Sequence, residues 1–179
     1  MIRWIHETAK RRILLVALGA TIVFSSIMML LLLPQFLSIS GGLLPLDMRL
    51  TYTPQDANFL FGALGDDGIF VYRLFQLCDT GFPIALAITL SSGIVMVNRR
   101  NLPSDHRLRV VAAVPFLTAA FDYAENLLVW SQLNVYPSTL PQVLLLASVI
   151  SVIKLVLLFT SVGLALVWAV IYIMKRRES

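Results

Sequence analysis

Four long apolar stretches run through this chain, and two of them carry ionisable side chains well inside their ends: Asp122 and Glu125 in the third, Lys154 in the fourth. The stretches narrow the fold first. Lipid offers a backbone no hydrogen-bond partners, so a spanning segment must satisfy its own, as a helix does. The charges narrow it further. One charge at the centre of a bilayer costs roughly 2.5–3.5 kcal/mol on insertion scales, so three require partners, water or a task. With 58% hydrophobic and 13% charged residues, against about 25% charged in soluble domains, the chain is expected to be all-α. The expected fold is a four-helix transmembrane bundle forming a single integral membrane domain over residues 1–179.

The expected spans are residues 13–33, 68–97, 107–133 and 142–174. Pro34 is expected to end the first, and the Phe82-Pro83 step to kink the second. The fourth exceeds the ~20 residues a crossing needs, so it should tilt or protrude. Fourteen bases against ten acids do not form a nucleic-acid surface. Eleven of the bases fall in three groups: Arg3, Lys10, Arg11 and Arg12; Arg99, Arg100, Arg107 and Arg109; Lys175, Arg176 and Arg177. Four spans put all three groups on one side, which the positive-inside rule makes cytoplasmic. A multi-pass protein with both termini cytoplasmic follows. The first span exceeds the 7–15 residues of a signal-peptide core and reads as a retained anchor, although Ser38-Ile39-Ser40-Gly41 leaves cleavage open.

Residues 34–67 are too many for a plain connector. Thr53-Pro54-Gln55-Asp56 has the form of a helix start, with Thr53 as N-cap, Pro54 in the first turn and Asp56 completing a capping box. An interfacial helix over about 54–64 should follow, stopped at Gly65 and lying on the membrane surface or over the bundle. The Gly62, Gly65, Gly68 spacing lacks the flanking residues of a phosphate-binding loop. The single cysteine, Cys78, excludes an internal disulfide.

Asp122, Glu125 and Asn126 stand at i, i+3 and i+4 and so project from one helix face. Ser148, Ser151, Lys154 and Ser161 form a polar stripe on the fourth helix. The stripes are expected to face each other, with Lys154 as counter-ion. Tyr72, Arg73 and Asp79, with Asp47 and Arg49 from the loop, are expected to complete a cap. At 1.5 Å per residue, Asp122 and Glu125 lie about 20 and 24 Å above Arg109, Asp79 about 30 Å above Arg99, and Lys154 about 31 Å above Lys175. All then sit in the outer half of the bilayer. That half holds seven acids (Asp47, Asp56, Asp66, Asp67, Asp79, Asp122, Glu125) and three bases (Arg49, Arg73, Lys154). Some carboxylates must therefore be solvated, protonated or bound to a cation.

Three readings follow: a structural polar network, a binding or catalytic site open to the outer side, or an ion path. Sparse polarity in the inner half weakens the last. In the second, Asp122 or Glu125 would serve as base or ligand, Lys154 and Arg73 would hold an anionic group, and Tyr72 or Tyr123 would donate hydrogen bonds. His6 and His106 fall on the cytoplasmic side, which argues against a histidine zinc site or Ser-His-Asp triad at the cluster. Carboxylates alone would favour Ca²⁺ or Mg²⁺.

The string Leu46-Asp47-x-Arg49, Tyr52-Thr53-Pro54, Leu64-Gly65-x-x-Gly68, Tyr72, Asp79-x-x-Phe82-Pro83 and Phe121-Asp122-x-x-Glu125-Asn126 resembles a group of small bacterial four-helix membrane proteins with no established activity. The resemblance covers the second and third spans with the preceding loop, and implies a bacterial inner membrane. The function expected from the residues is binding, and possible turnover, of a lipid-derived or small polar ligand or a cation. The alternative is an accessory subunit whose charges serve packing against a partner membrane protein.

Overall fold

The computed structural model describes residues 11–101 and 107–177, excluding the side chains of 98–101, 107–109, 171–172 and 175–177. Both histidines, and every base of the three basic groups except Arg11 and Arg12, lie outside the described side chains. The described chain is helical throughout, without a strand. Three helical stretches, Arg11–Ile39, Pro54–Val97 and Pro141–Val170, are long and apolar enough to cross a membrane.

Helix α1 covers Arg11–Ile39 and does not end at Pro34 as the sequence suggests. Residues Ile27–Leu32 form a π-helical turn, in which the Leu33 N–H donates to the Met28 carbonyl five residues back. The wider turn changes the hydrogen-bond register just ahead of the proline ring, so the helix can pass it. It ends where Gly41 and Gly42 turn to positive φ.

Helix α2, Pro54–Cys78, starts with the expected capping box. The Asp56 N–H donates to Thr53 Oγ1 at 3.1 Å, and the Thr53 N–H donates to Asp56 Oδ2 at 2.9 Å. Gly65 breaks the helix at φ 57° and ψ −167°, a conformation that glycine adopts without penalty. The helix expected over 54–64 therefore leads directly into the next segment, and the expected 68–97 span is replaced by two helices. A turn at Asp79–Gly81 separates α2 from α3, Phe82–Asn101. Pro83 starts the new helix rather than kinking an old one, because its missing N–H costs nothing in a first turn. Gly81 lets this turn approach α1: a Cβ there would run into the Phe24 ring.

Residues Arg107–Ala113 are 3₁₀-helical, and α4 proper covers Val114–Val135. The expected start at 107 fails because Pro115 restricts the residue before it and fits only an initial turn. Helix α5 is Pro141–Arg177, longer than its expected 142–174.

Helix α3 packs against α1, α4 and α5, and α4 lies along α5, while α1 and α5 scarcely touch. The larger core lies beneath α2, where Leu60, Phe61, Tyr72 and Phe75 meet Phe36, Leu46, Val129 and Leu144. Only 11% of the apolar window of α1 and 28% of that of α5 is buried. Most of their apolar surface faces outward, as it would towards lipid.

A carboxylate cluster around Lys154

The i, i+3, i+4 spacing on α4 turns Asp122, Glu125 and Asn126 inward together, at 9%, 0% and 8% exposure. Ser148, Ser151, Lys154 and Ser161 are buried along the facing stripe of α5. Between them, Lys154 Nζ lies 3.0 Å from Asp122 Oδ1 and 2.6 Å from Glu125 Oε2. It also donates to the Asp47 carbonyl oxygen at 3.2 Å. An ammonium has three N–H donors, so each has an acceptor. Asp79, at the turn after α2, is held by Asn126, whose Nδ2 donates to Asp79 Oδ2 at 2.6 Å.

Asp47 arrives on the short 3₁₀ turn Leu46–Met48. The Leu46 N–H donates to Tyr72 Oη at 3.1 Å, the Tyr52 N–H to Ser148 Oγ at 3.0 Å, and Ser151 Oγ to the Arg49 carbonyl at 3.3 Å. These bonds hold the loop over the cluster. Asp47 Oδ1 is nevertheless buried without a hydrogen-bond partner. Burial pushes this carboxyl up to about 7, against the pull of Lys154.

Of the expected site residues, Asp47, Asp79, Asp122, Glu125, Asn126 and Lys154 meet here. Four do not join them. Arg73 is exposed and donates to Asn134 Oδ1 at 2.8 Å, so it cannot hold a ligand at the cluster. Successive residues of a helix point about 100° apart, and with Tyr72 turned into the core Arg73 must face out. Tyr72 supports the loop rather than the site. The Arg49 guanidinium turns back to the Leu44 carbonyl, at 3.0 and 2.7 Å. Tyr123 donates to the Thr80 carbonyl at 2.7 Å.

A cavity of about 150 Å³ reaches the cluster, ending at Asp47, Asp79, Asp122 and Lys154. Its walls are chiefly apolar: Met28 and Met29 of α1, Phe82, Pro83, Leu86 and Leu90 of α3, Leu155 and Leu158 of α5. Apart from Phe82 and Pro83, none of these stood out in the sequence, because an apolar residue in a spanning helix gives no sign of which faces the gap. Thr118 and Ser161, hydrogen-bonded at 3.0 Å, also line it.

The imbalance of charge is the main chemical fact. Four carboxyls, Asp47, Asp79, Asp122 and Glu125, share one described base. Among the described residues no three His, Cys, Asp or Glu side chains close into a metal-binding group. Asp79 borders the cavity, and its one side-chain hydrogen bond among the described residues falls on Oδ2, from Asn126. No protein-family model matches the chain, and no curated protein or solved structure matches it.

Proposed function

We propose that this is a multi-pass membrane protein of four crossing helices, with cytoplasmic termini, that binds an amphipathic, lipid-derived molecule in the outer half of its bundle. The observation that carries the reading is the cavity, apolar along its walls and acidic where Asp47, Asp79 and Asp122 border it. Ligand sites combine these features: apolar lining supplies affinity and a few convergent polar groups set orientation. A cavity near 150 Å³ matches a benzene-sized group. It would hold a headgroup with its first carbons, leaving the rest of the molecule between helices.

The test is mass spectrometry of small molecules retained by detergent-purified protein, wild type beside Asp79→Asn. The substitution keeps an oxygen for Asn126 and removes the charge. One amphiphile enriched over bulk lipid in the wild type, and lost from a variant of unchanged melting temperature, supports the reading. Equal retention of bulk lipid by both overturns it.

A second reading, an accessory subunit with structural charges, is favoured by one observation. Lys154 has all its donors engaged, as expected of a register-fixing network. The unpaired Asp47 Oδ1 and the cavity weigh against it.

A further inference from the structure

Resting on that reading, the geometry points to the class of ligand: a single-chain membrane amphiphile with a protonated amine head, its chain lying in the gap between α1 and α5. The gap exists because both helices pack on α3 and scarcely on each other. The cavity at the cluster occupies its outer end. A second cavity, of about 360 Å³, continues it inward between Leu14 of α1 and Ala165, Ala169 and Ile173 of α5, over Gly93 of α3. Leu90 lines both cavities, so they lie end to end about its side chain. From Lys154 to Ile173 the groove follows α5 for about 28 Å at the helical rise. One lipid chain needs about half of a ~30 Å hydrocarbon core, so the groove accommodates one with room to spare.

The charge of the head follows from the acidic end. Asp79 is 4% exposed, lines the cavity and offers an Oδ1 that no described residue engages. Asp47 Oδ1 is buried and unpartnered beside it. Asp79, Asp122 and Asp47 border the cavity against Lys154 alone. An anionic head would meet surplus carboxylate, whereas an ammonium would find acceptors and reduce the negative excess. Lys154, already engaged three times, has no donor left for a carboxylate or phosphate.

The floor supplies the test. A Cβ built at Gly93 meets nothing within 4 Å, so Gly93→Phe should fill the inner groove while leaving the packing of α3 intact. Purified protein in lipid nanodiscs is titrated with hexadecylamine, octylamine and hexadecanoate, and binding is read by native mass spectrometry. Both amines should bind and hexadecanoate should not. Asp79→Asn should weaken both amines by about tenfold or more, the scale of one charge-assisted hydrogen bond. Gly93→Phe should weaken hexadecylamine by a similar factor and leave octylamine unchanged. If Gly93→Phe spares hexadecylamine, or hexadecanoate binds better than the amine, the inference falls while an amphiphile cavity stands. If no probe binds and wild type and Asp79→Asn behave alike, the cavity reading falls with it. If Gly93→Phe instead dissolves a dimer, the groove belongs to a second copy and the inference is overturned.

Discussion

The α4–α5 and α1–α3 interfaces solve the same problem with opposite chemistry. Across α4–α5 the charged groups depend on one another: Lys154 takes its ion pairs from α4 and its third acceptor from a distant loop. Across α1–α3 the one described polar contact joins Thr21 and Thr89 at 3.3 Å. Each hydroxyl there already donates to a carbonyl of its own helix, Ala17 or Ala85, at 2.8 Å. A self-satisfied hydroxyl is removable. A buried charge satisfied from elsewhere fixes position and cannot be withdrawn singly. The apolar interface can therefore stand open to α5, while the charged one holds its register.

The comparison is most exposed to breakage at Lys154. Lys154→Met leaves Asp122 and Glu125 buried without their cation, and should cost about 3–5 kcal/mol in thermal unfolding of nanodisc-reconstituted protein. Adding Glu125→Gln should restore part of that loss, since one stranded carboxylate goes with it. A double variant no better than the single would show that the two groups do not act as a pair. Next in size is Ser148→Ala, which leaves the buried Tyr52 N–H unsatisfied and should cost about 1–3 kcal/mol in the same assay. On the other interface, Thr21→Val should change stability by only about 0.6 kcal/mol, the mean for interhelical hydrogen bonds in a membrane. A loss as large as that of Ser148→Ala would erase the distinction drawn here.

The smallest effect lies outside both interfaces. The Thr53 N–H and hydroxyl hold the exposed Asp56 carboxyl below its ordinary range. Its folded value is depressed, so the cap's contribution is complete above the unfolded carboxyl range. It is lost as pH falls through the folded value. Amide exchange over residues 54–64 should accelerate on acidification below that range, and Asp56→Asn should flatten the response.

Much of the cluster was legible because it obeys helical periodicity. Asp122, Glu125 and Asn126 share a face by spacing alone, as do Ser148, Ser151 and Lys154, and apolar surroundings leave such stripes only each other. The capping box at Thr53–Asp56 and the stop at Gly65 were equally local. What escaped depended on rotation or on the main chain. That Tyr72 faces inward, and so turns Arg73 away, follows from how α2 rolls against Phe36 (an edge-on ring contact at 5.2 Å). The third acceptor of Lys154 is a backbone carbonyl, which no residue type announces. Pro34 misled because a π-turn upstream carries the helix past it. The turn at Asp79–Gly81 was hidden because the stretch is apolar on both sides of so short a break.

The loop between α1 and α2 has one further consequence, which concerns the order of assembly. Asp47, Arg49 and Tyr52 are tied to Lys154, Ser151 and Ser148, across separations of 107, 102 and 96 residues. A ribosome makes the loop long before it makes those partners, and folding follows synthesis from the N-terminus. The loop must therefore wait unseated until α5 is in place. Closure of the acidic chamber thus waits on α5, and a protein truncated within α5 would be left with its charged interior uncovered.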